Sequence, residues 1–132
     1  MTANVEMAKT TYDLFKSGKV HEVINDLTAE DAVYVIPGPI GKLPGAGVYR
    51  GKAEISKWFK IEAETVDYTK FEPQQTIDHG DTVVVIGAMA GRVKANGKEF
   101  ENEWVHVIRF RDGKVVLFQA YYDTAKALDA LS

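Results

Sequence analysis

The feature that most constrains the fold is a change in hydrophobic periodicity along the chain. Apolar residues recur every three to four positions, the spacing of an amphipathic helix, in the segments 3–17, 20–27 and 52–66. Runs rich in β-branched and aromatic residues, typical of strands, occupy 32–36, 69–78, 82–94, 99–111 and 114–122. This order, with helices first and strands later, predicts an α+β fold, because a parallel sheet requires strands and helices that alternate strictly.

Turn-forming residues divide the second half of the chain into hairpins. The signals are His79-Gly80-Asp81, Asn96-Gly97 and Asp112-Gly113, and they predict an antiparallel meander. After the last strand, Asp123 has the chemistry of an N-cap and predicts a short terminal helix. Residues 37–51 contain five of the eleven glycines and three of the four prolines, so they predict a surface loop. This loop is either a plain connection or a flap over a binding site.

Charge and composition exclude several classes of protein. The chain has 16 Lys and Arg against 19 Asp and Glu, a net charge of −3, and this balance gives no indication of binding to nucleic acid or to an anionic membrane. It has no cysteine, which excludes disulfides, thiol nucleophiles and thiolate metal sites. We expect one domain over residues 1–132. The polar start and the absence of a long apolar run predict a cytoplasmic protein with no membrane segment.

Alternation along the strands predicts an inner and an outer face of the sheet. One parity of the run 99–111 is apolar apart from one amide and one imidazole, and contains Asn102, Trp104, His106, Ile108 and Phe110. The opposite parity of this run and the next also carries several apolar residues. A sheet that is apolar on both sides favours helices on one face and a second copy on the other, so we expect a homodimer. Extra burial by the loop or the terminal helix is the alternative.

Two glycines interrupt the strand at 82–94. Gly87 and Gly91 flank Met89 on the same face, where they bury no side chain. They either hollow out the concave side of the sheet or mark β-bulges that curve it.

The order of elements and several local motifs resemble the nuclear transport factor two-like superfamily, which includes ketosteroid isomerase and SnoaL-like polyketide cyclases. The motifs that carry the resemblance lie at 12–18, 30–33, 49–55, 105–115 and 119–122. The resemblance implies a cone-shaped α+β barrel, in which a strongly curved, mostly antiparallel sheet wraps around three N-terminal helices. It also implies a deep apolar pocket and dimers formed through the opposite sheet face.

The resemblance does not carry the steroid-isomerase reaction with it. Alignment with that enzyme's pattern places the general base at Ile36, the oxyanion-hole tyrosine at Thr11 and the protonated acid at His106. An isoleucine cannot move a proton, so ketosteroid isomerase activity by the standard machinery is not expected.

His106 is the candidate catalytic residue, because its strand parity directs it inward and an imidazole can exchange protons near neutral pH. Tyr34 and Tyr122 have inward parity too, and their hydroxyls could orient a carbonyl or enol oxygen. With these two tyrosines, the expected substrate-binding residues are Ile36, Trp58, Met89, Trp104 and Phe118. Simple packing in a core is the alternative for each of them.

No carboxylate is a secure partner for His106 in the sequence. Asp123 adjoins the inner strands, but it has the opposite parity to Tyr122 and has the position of a helix N-cap. Asp31 lies either at the rim of the pocket or at the end of a helix. His21 and His79 do not form a metal-ligand pattern with His106, so neither a metal nor a cofactor is expected.

Taken together, the residues and the resemblance predict a pocket protein for a small hydrophobic or carbonyl-bearing molecule. The leading hypothesis is an isomerase, a cyclase or a related acid–base enzyme in which His106 shuttles a proton. The alternative is a noncatalytic ligand-binding or assembly module. Epoxide hydrolysis would require an inward Asp–Arg–Asp set, which the inner positions do not supply.

Overall fold

A four-helix, six-strand arrangement is seen in the computed structural model, which describes residues 2–132. The helices are α1 (Ala3–Lys16), α2 (Val20–Leu27), α3 (Gly51–Thr65) and α4 (Thr124–Ala130). The strands are β1 (Thr28–Ile36), β2 (Gly47–Arg50), β3 (Val66–His79), β4 (Thr82–Val93), β5 (Glu99–Arg111) and β6 (Lys114–Tyr122). The α+β class expected from the sequence is confirmed.

The strands form one mixed sheet in the order β2-β1-β6-β5-β4-β3. The consecutive strands β3 to β6 pair antiparallel, as the turn signals predicted, and β2 pairs antiparallel with β1. Only β1 and β6 run parallel within the described chain. The sheet is open, with β2 and β3 at its edges, so it forms a cone that hydrogen bonds do not close into a barrel.

Three strand boundaries differ from the sequence-based expectation, and one of them is the start of β3 at Val66, three residues before the predicted position. β1 begins at Thr28 and follows α2 directly, four residues before the predicted start. The expected loop at 37–51 ends in a strand, because Val48 and Tyr49 of β2 pair with Val35 and Tyr34 of β1. A run of four residues beside several glycines is too short to give a clear strand pattern.

Capping residues define the helix ends. The Thr2 hydroxyl accepts a hydrogen bond from the Val5 amide and starts α1. At the other end Gly18 adopts a φ of +76°, and the amide of Lys19 donates to the carbonyl of Leu14, which is a Schellman motif. The Asp123 carboxylate accepts from the Lys126 amide and caps α4, which confirms the expected role.

Side chains of alternate residues of β4 and β5 point inward, where they meet the helices. Val83, Val85, Trp104 and Ile108 are almost fully buried in this core. On β6 a register shift opposite Arg109 and Phe110 places Val115 inward. Strict alternation along the run 114–122 would place Val116 on the inner face with Phe118 and Ala120, and the bulge reverses the positions of Val115 and Val116.

The two glycines of β4 allow neighbouring groups to pack against the strand more closely than a side chain would permit. A β-carbon at Gly87 would overlap the Trp104 indole and the Glu72 carbonyl, and one at Gly91 would overlap the Asp67 carbonyl. The register of β3 shifts beside both positions, next to Tyr68 and next to Pro73. The bulge alternative is therefore correct, and the space at Gly87 is filled by Trp104 rather than left for a ligand.

None of the four helices, over the described residues 2–132, has both the length and the apolar character that crossing a bilayer requires.

Candidate functional site

The inner face of the sheet and the helices enclose a cavity of about 130 Å³. All eight residues singled out from the sequence line it: Tyr34, Ile36, Trp58, Met89, Trp104, His106, Phe118 and Tyr122. Leu43 and Pro44 of the loop before β2 also contribute, and Leu43 is 4% exposed. The loop is therefore part of the cavity wall, and the described chain does not use it as a plain connection.

Aromatic rings surround His106 on β5. The Trp104 ring stacks on the imidazole with centroids 4.1 Å apart, and the Phe118 ring lies 4.5 Å away. Burial among these rings lowers the pKa of His106 to about 3, because the apolar surroundings disfavour the charged imidazolium. His106 is therefore neutral at physiological pH.

Tyr12 of α1 is the hydrogen-bond partner of His106, and sequence reasoning missed this role. Its hydroxyl oxygen lies 2.7 Å from Nδ1 of His106, and both groups are buried. The resemblance placed a tyrosine's role at Thr11, but the Thr11 hydroxyl donates to the carbonyl of Met7 within the helix. The helical spacing of Val5, Ala8 and Tyr12 already placed Tyr12 on the buried face, and this signal could have found it.

The Tyr12 contact links the direction of the hydroxyl hydrogen bond to the tautomer of His106. Burial raises the pKa of the Tyr12 hydroxyl, so it stays protonated and needs an acceptor. When the Tyr12 hydroxyl donates to Nδ1, its one partner in the described chain, the ring proton resides on Nε2; in the other tautomer Nδ1–H donates to the Tyr12 oxygen. Nε2 has no hydrogen-bond partner in the described chain. It is not among the fully buried polar atoms that lack a partner, so it is accessible from the cavity.

The hydroxyls of Tyr34 and Tyr122 keep their protons over the physiological range. Burial raises the pKa of both side chains well above the ordinary value. The Tyr34 ring packs against Phe118 with centroids 4.7 Å apart. Both tyrosines line the cavity as neutral groups, and a role in orienting a ligand oxygen stays a prediction.

Glu62 of α3 is a carboxyl group of the site that the sequence analysis did not identify. It lines the cavity, and its Oε2 accepts a hydrogen bond of 2.7 Å from the Tyr68 hydroxyl. Burial raises the pKa of the Glu62 carboxyl, and the Tyr68 hydrogen bond offsets part of this rise. Glu62 lies on the same helical face as Ile55, Trp58 and Phe59. The helical spacing could therefore have predicted that Glu62 faces the interior.

The carboxylates considered from the sequence lie elsewhere. Asp123 caps α4, and its backbone carbonyl accepts a hydrogen bond from the Asn102 amide group at 3.0 Å. Asp31 pairs with Arg111 at 2.7 Å on the surface, where both side chains are more than half exposed. This pair lies outside the cavity, so it cannot supply an inward Asp–Arg–Asp set.

The other histidines are also remote from His106. Nε2 of His21 lies 2.7 Å from the exposed side-chain amide of Asn25 on the same helix, and His79 ends β3 on the surface. Over residues 2–132, no group of three or more His, Asp and Glu side chains is arranged to hold a metal ion.

Two indole nitrogens are further polar groups in the cavity wall. Nε1 of Trp58 and Nε1 of Trp104 are buried and have no hydrogen-bond partner in the described structure. Unpaired buried donors are uncommon, and they concentrate here in the wall of one cavity.

Comparison with known proteins agrees with this architecture. The SnoaL-like domain family matches residues 8–118, so the chain belongs to this family. None of the curated proteins matches the sequence.

Solved structures share the fold over nearly the whole chain. An NTF2-like protein from Burkholderia xenovorans LB400 is 31% identical, with a TM-score of 0.87 over 98% of this chain and 96% of that one. An NTF2-like protein from Burkholderia thailandensis E264 is 28% identical, with a TM-score of 0.86 over 100% and 99%. TerC, co-crystallised with polyporic acid, is 23% identical, with a TM-score of 0.87 over 98% of each chain. The resemblance inferred from the sequence is confirmed.

Proposed function

We propose that the protein binds a small hydrophobic ring compound with a carbonyl group and catalyses a proton transfer on it, as an isomerase or cyclase. The observation that carries this proposal is the Tyr12–His106 pair, which presents a neutral hydrogen-bond donor to a cavity lined mainly by apolar and aromatic side chains. A few well-placed polar groups in a mainly apolar pocket are typical of small-molecule sites.

The dimensions of the cavity suit a small ligand. An apolar cavity of roughly 150 Å³ binds benzene, and the cavity here measures about 130 Å³. We therefore propose a ligand of one or two small rings. TerC, which has the same fold, was co-crystallised with polyporic acid, and this supports a small-molecule ligand for the fold.

His106 acts in this proposal as a donor to the ligand oxygen. With its pKa lowered to about 3, the ring is a weak base at neutral pH, so the donor role replaces the shuttle role suggested by the sequence. Loss of a proton from the carbon beside the carbonyl moves negative charge onto the oxygen. The Nε2–H group of His106 stabilises that charge, and the apolar surroundings strengthen the interaction.

The proposal is tested with 2-indanone as the probe. Its binding is followed by quenching of Trp58 and Trp104 fluorescence, and exchange of its α-protons in D₂O is followed by NMR. His106→Leu should slow the exchange by about 100-fold, the loss expected for one oxyanion donor. Tyr12→Phe, which keeps the ring in place, should give a smaller loss because the imidazole proton is no longer fixed on Nε2.

His21→Leu on the exposed face of α2 is the matched control and should leave both measurements unchanged. Equal exchange rates in the wild type and His106→Leu would contradict the proposal. Binding without exchange in the wild type would instead support the noncatalytic ligand-binding module.

We also propose that the protein forms a homodimer through the outer face of the sheet. Val84, Ile86, Val105 and Val107 lie in adjacent rows of this face and are only half-buried. Native mass spectrometry at micromolar concentration should show a dimer that Val105→Lys converts to monomer. Ile40→Lys in the loop, where the side chain is 79% exposed, is the control, and a monomeric wild type would overturn the proposal.

A further inference from the structure

We infer that Glu62 of α3 anchors a second binding subsite in the cavity, and that this subsite takes a cationic amine group of the ligand. The inference rests on the proposed function for a ligand in the cavity, and it names a further group of that ligand. The ligand class it predicts is a small ring compound that carries an amine. Glu62 acts in it as a counter-ion that binds and orients the ligand.

One carboxylate oxygen of Glu62 is free for a ligand. Oε2 accepts a hydrogen bond of 2.7 Å from the Tyr68 hydroxyl, whereas Oε1 has no hydrogen-bond partner in the described chain. Oε1 is not among the fully buried polar atoms that lack a partner, and Glu62 lines the cavity, so Oε1 is accessible to a ligand. The Tyr68 hydrogen bond holds the carboxyl group in place, so a ligand meets an oriented acceptor.

The protein itself supplies no cation for this carboxyl group. Lys126 is the one Lys or Arg side chain on the described cavity lining, and it is exposed and forms no ion pair with Glu62. The ion pairs within residues 2–132 use other carboxylates, namely those of Glu30, Asp31, Asp67 and Glu72. A carboxylate in a mainly apolar cavity is costly unless it is paired, so a cation on the ligand would complete this site.

The polar groups near Glu62 that a ligand can reach are hydrogen-bond acceptors. Burial, together with the negative charge of Glu62, raises the pKa of Tyr49, Tyr68 and Tyr122, so their hydroxyls lie near the carboxyl group. The Tyr68 hydroxyl donates to Glu62 and the Tyr49 hydroxyl to the carbonyl of Gly45, so each has only oxygen lone pairs left. An ammonium group has three donors and no acceptor, which suits this set.

The nearest unpaired donor is closed to a ligand. A β-carbon at Gly45 would lie 3.2 Å from Nε1 of Trp58 and 3.8 Å from Oε1 of Glu62, so both atoms belong to one corner of the cavity. Nε1 of Trp58 is fully buried, whereas Oε1 of Glu62 is accessible. A ligand hydroxyl or carbonyl therefore receives no hydrogen bond from Trp58 here, and an ammonium needs none. This difference favours an amine over a neutral oxygen group.

The surrounding lining is aromatic, which also suits a cation. The Tyr68 ring packs against Phe15, Phe71 and Phe100 with centroids 6.1, 5.4 and 6.4 Å apart, and all four rings line the cavity. The faces of aromatic rings attract an ammonium group within about 6 Å of the ring centroid. The carboxylate therefore pairs with the charge, and the rings pack against the body of the ligand.

Pairing with an amine requires the ionised form of Glu62. Burial raises the pKa of this carboxyl group, so the affinity for an amine should increase as the pH rises through that pKa. Among the other titratable groups around the cavity, burial keeps the tyrosines protonated and His106 neutral, and two charged side chains are exposed. These groups are Tyr12, Tyr34, Tyr49, Tyr68, Tyr122, His106, Glu101 and Lys126.

The test compares 2-aminoindane with 2-indanol, which share one ring system and differ in the charged group. Binding is followed by quenching of tryptophan fluorescence. At pH 7.5 the wild type should bind the amine about tenfold more tightly than the alcohol, the gain expected for one charge-assisted hydrogen bond. Glu62→Gln keeps the size of the side chain and should remove this preference, while its affinity for 2-indanol changes less than threefold. Retained 2-indanol binding also shows that the variant is folded.

Two carboxylate variants serve as controls. Glu64→Gln changes an exposed residue of the same helix, and Glu101→Gln changes the exposed carboxylate on the cavity lining. Both should keep the preference for the amine. Wild-type affinity for 2-aminoindane should rise from pH 5 to pH 8 and stay flat in Glu62→Gln.

The outcomes separate this inference from the proposed function. Equal affinities of the wild type for the two probes, or a preference that survives in Glu62→Gln, overturn the inference, and the proposed function stands if 2-indanone binds and exchanges. A preference lost in Glu101→Gln but kept in Glu62→Gln assigns the amine to the other carboxylate and also overturns it. A wild type that binds none of the three indane probes contradicts both.

Discussion

The hydroxyl of Tyr12 and Nδ1 of His106 lie 2.7 Å apart, although 94 residues separate them in the sequence. The contact joins the first helix to the fifth strand in the interior. Tyr12→Phe leaves Nδ1 of His106 buried and unpaired, so it should lower the free energy of unfolding by about 1–3 kcal/mol. Urea unfolding measures this, and Tyr121→Phe on the exposed face should cost less than about 0.5 kcal/mol.

His106 should make the protein less stable in acid. Its pKa is about 3 in the folded protein and near 6.5 in the unfolded chain, so the unfolded chain takes up a proton that the folded protein excludes. Stability present above pH 6.5 is therefore lost as the pH falls toward 3, by at most about 1.4 kcal/mol for each pH unit. His106→Leu should cost more stability at pH 7 than at pH 4 in urea unfolding. An equal cost at both pH values would contradict the buried neutral imidazole.

Glu62 should have the opposite dependence on pH. Because its pKa is raised in the folded protein, the folded protein retains a proton that the unfolded chain has lost, and stability falls as the pH rises from 4.5 through the folded pKa. Glu62→Gln should therefore raise the melting temperature relative to wild type more at pH 8 than at pH 4. Glu64→Gln should show no such trend, and a melting temperature lowered equally at both pH values would contradict the account.

Gly87→Ala should destabilise the sheet. The added carbon overlaps the Trp104 ring and the backbone carbonyl of Glu72, neither of which can move without disturbing the core. Overpacking of this kind costs about 1–3 kcal/mol, and thermal unfolding would detect it. The comparison is Ala88→Val, which enlarges the neighbouring residue on the outer face of the sheet. Equal effects of the two changes on thermal unfolding would show that Gly87 is not closely packed.

Ala120→Leu should block the cavity. Ala120 on β6 is 5% exposed, lies opposite His106 in the strand pairing and lines the cavity. The larger side chain occupies ligand space, so the affinity for 2-indanone should fall at least tenfold, a change of about 1.4 kcal/mol. Ala125→Leu on the exposed side of α4 should bind as wild type does. Unchanged affinity in Ala120→Leu would place the ligand outside the cavity.

The fold was largely predictable because periodicity reports burial directly. Strand parity correctly placed Trp104 and His106 inside, and the turn signals gave the hairpin order. Strand alternation assigns Val115 and Val116 to the wrong faces of the sheet, because a bulge changes the register there. No local pattern in the sequence marks that bulge.

The partners of His106 were harder to predict. A shift of one residue on a helix turns the side chain by about 100°, so placing the tyrosine role at Thr11 rather than Tyr12 assigned it to a partly buried residue whose hydroxyl donates to the Met7 carbonyl. Glu62 was missed because a charged residue on a helix is normally exposed. Its burial depends on Tyr68 and on the loop at Gly45, which reach it only in the folded chain.

The most direct test of the central claim is a long-range ¹H–¹⁵N NMR spectrum of His106 at pH 7 with and without 2-indanone. We predict a neutral ring with the proton on Nε2 and an unprotonated Nδ1 that accepts from Tyr12, and a shift of the Nε2 signal when the ketone binds. A charged imidazolium, a proton on Nδ1, or signals that the ketone leaves unchanged would contradict the account.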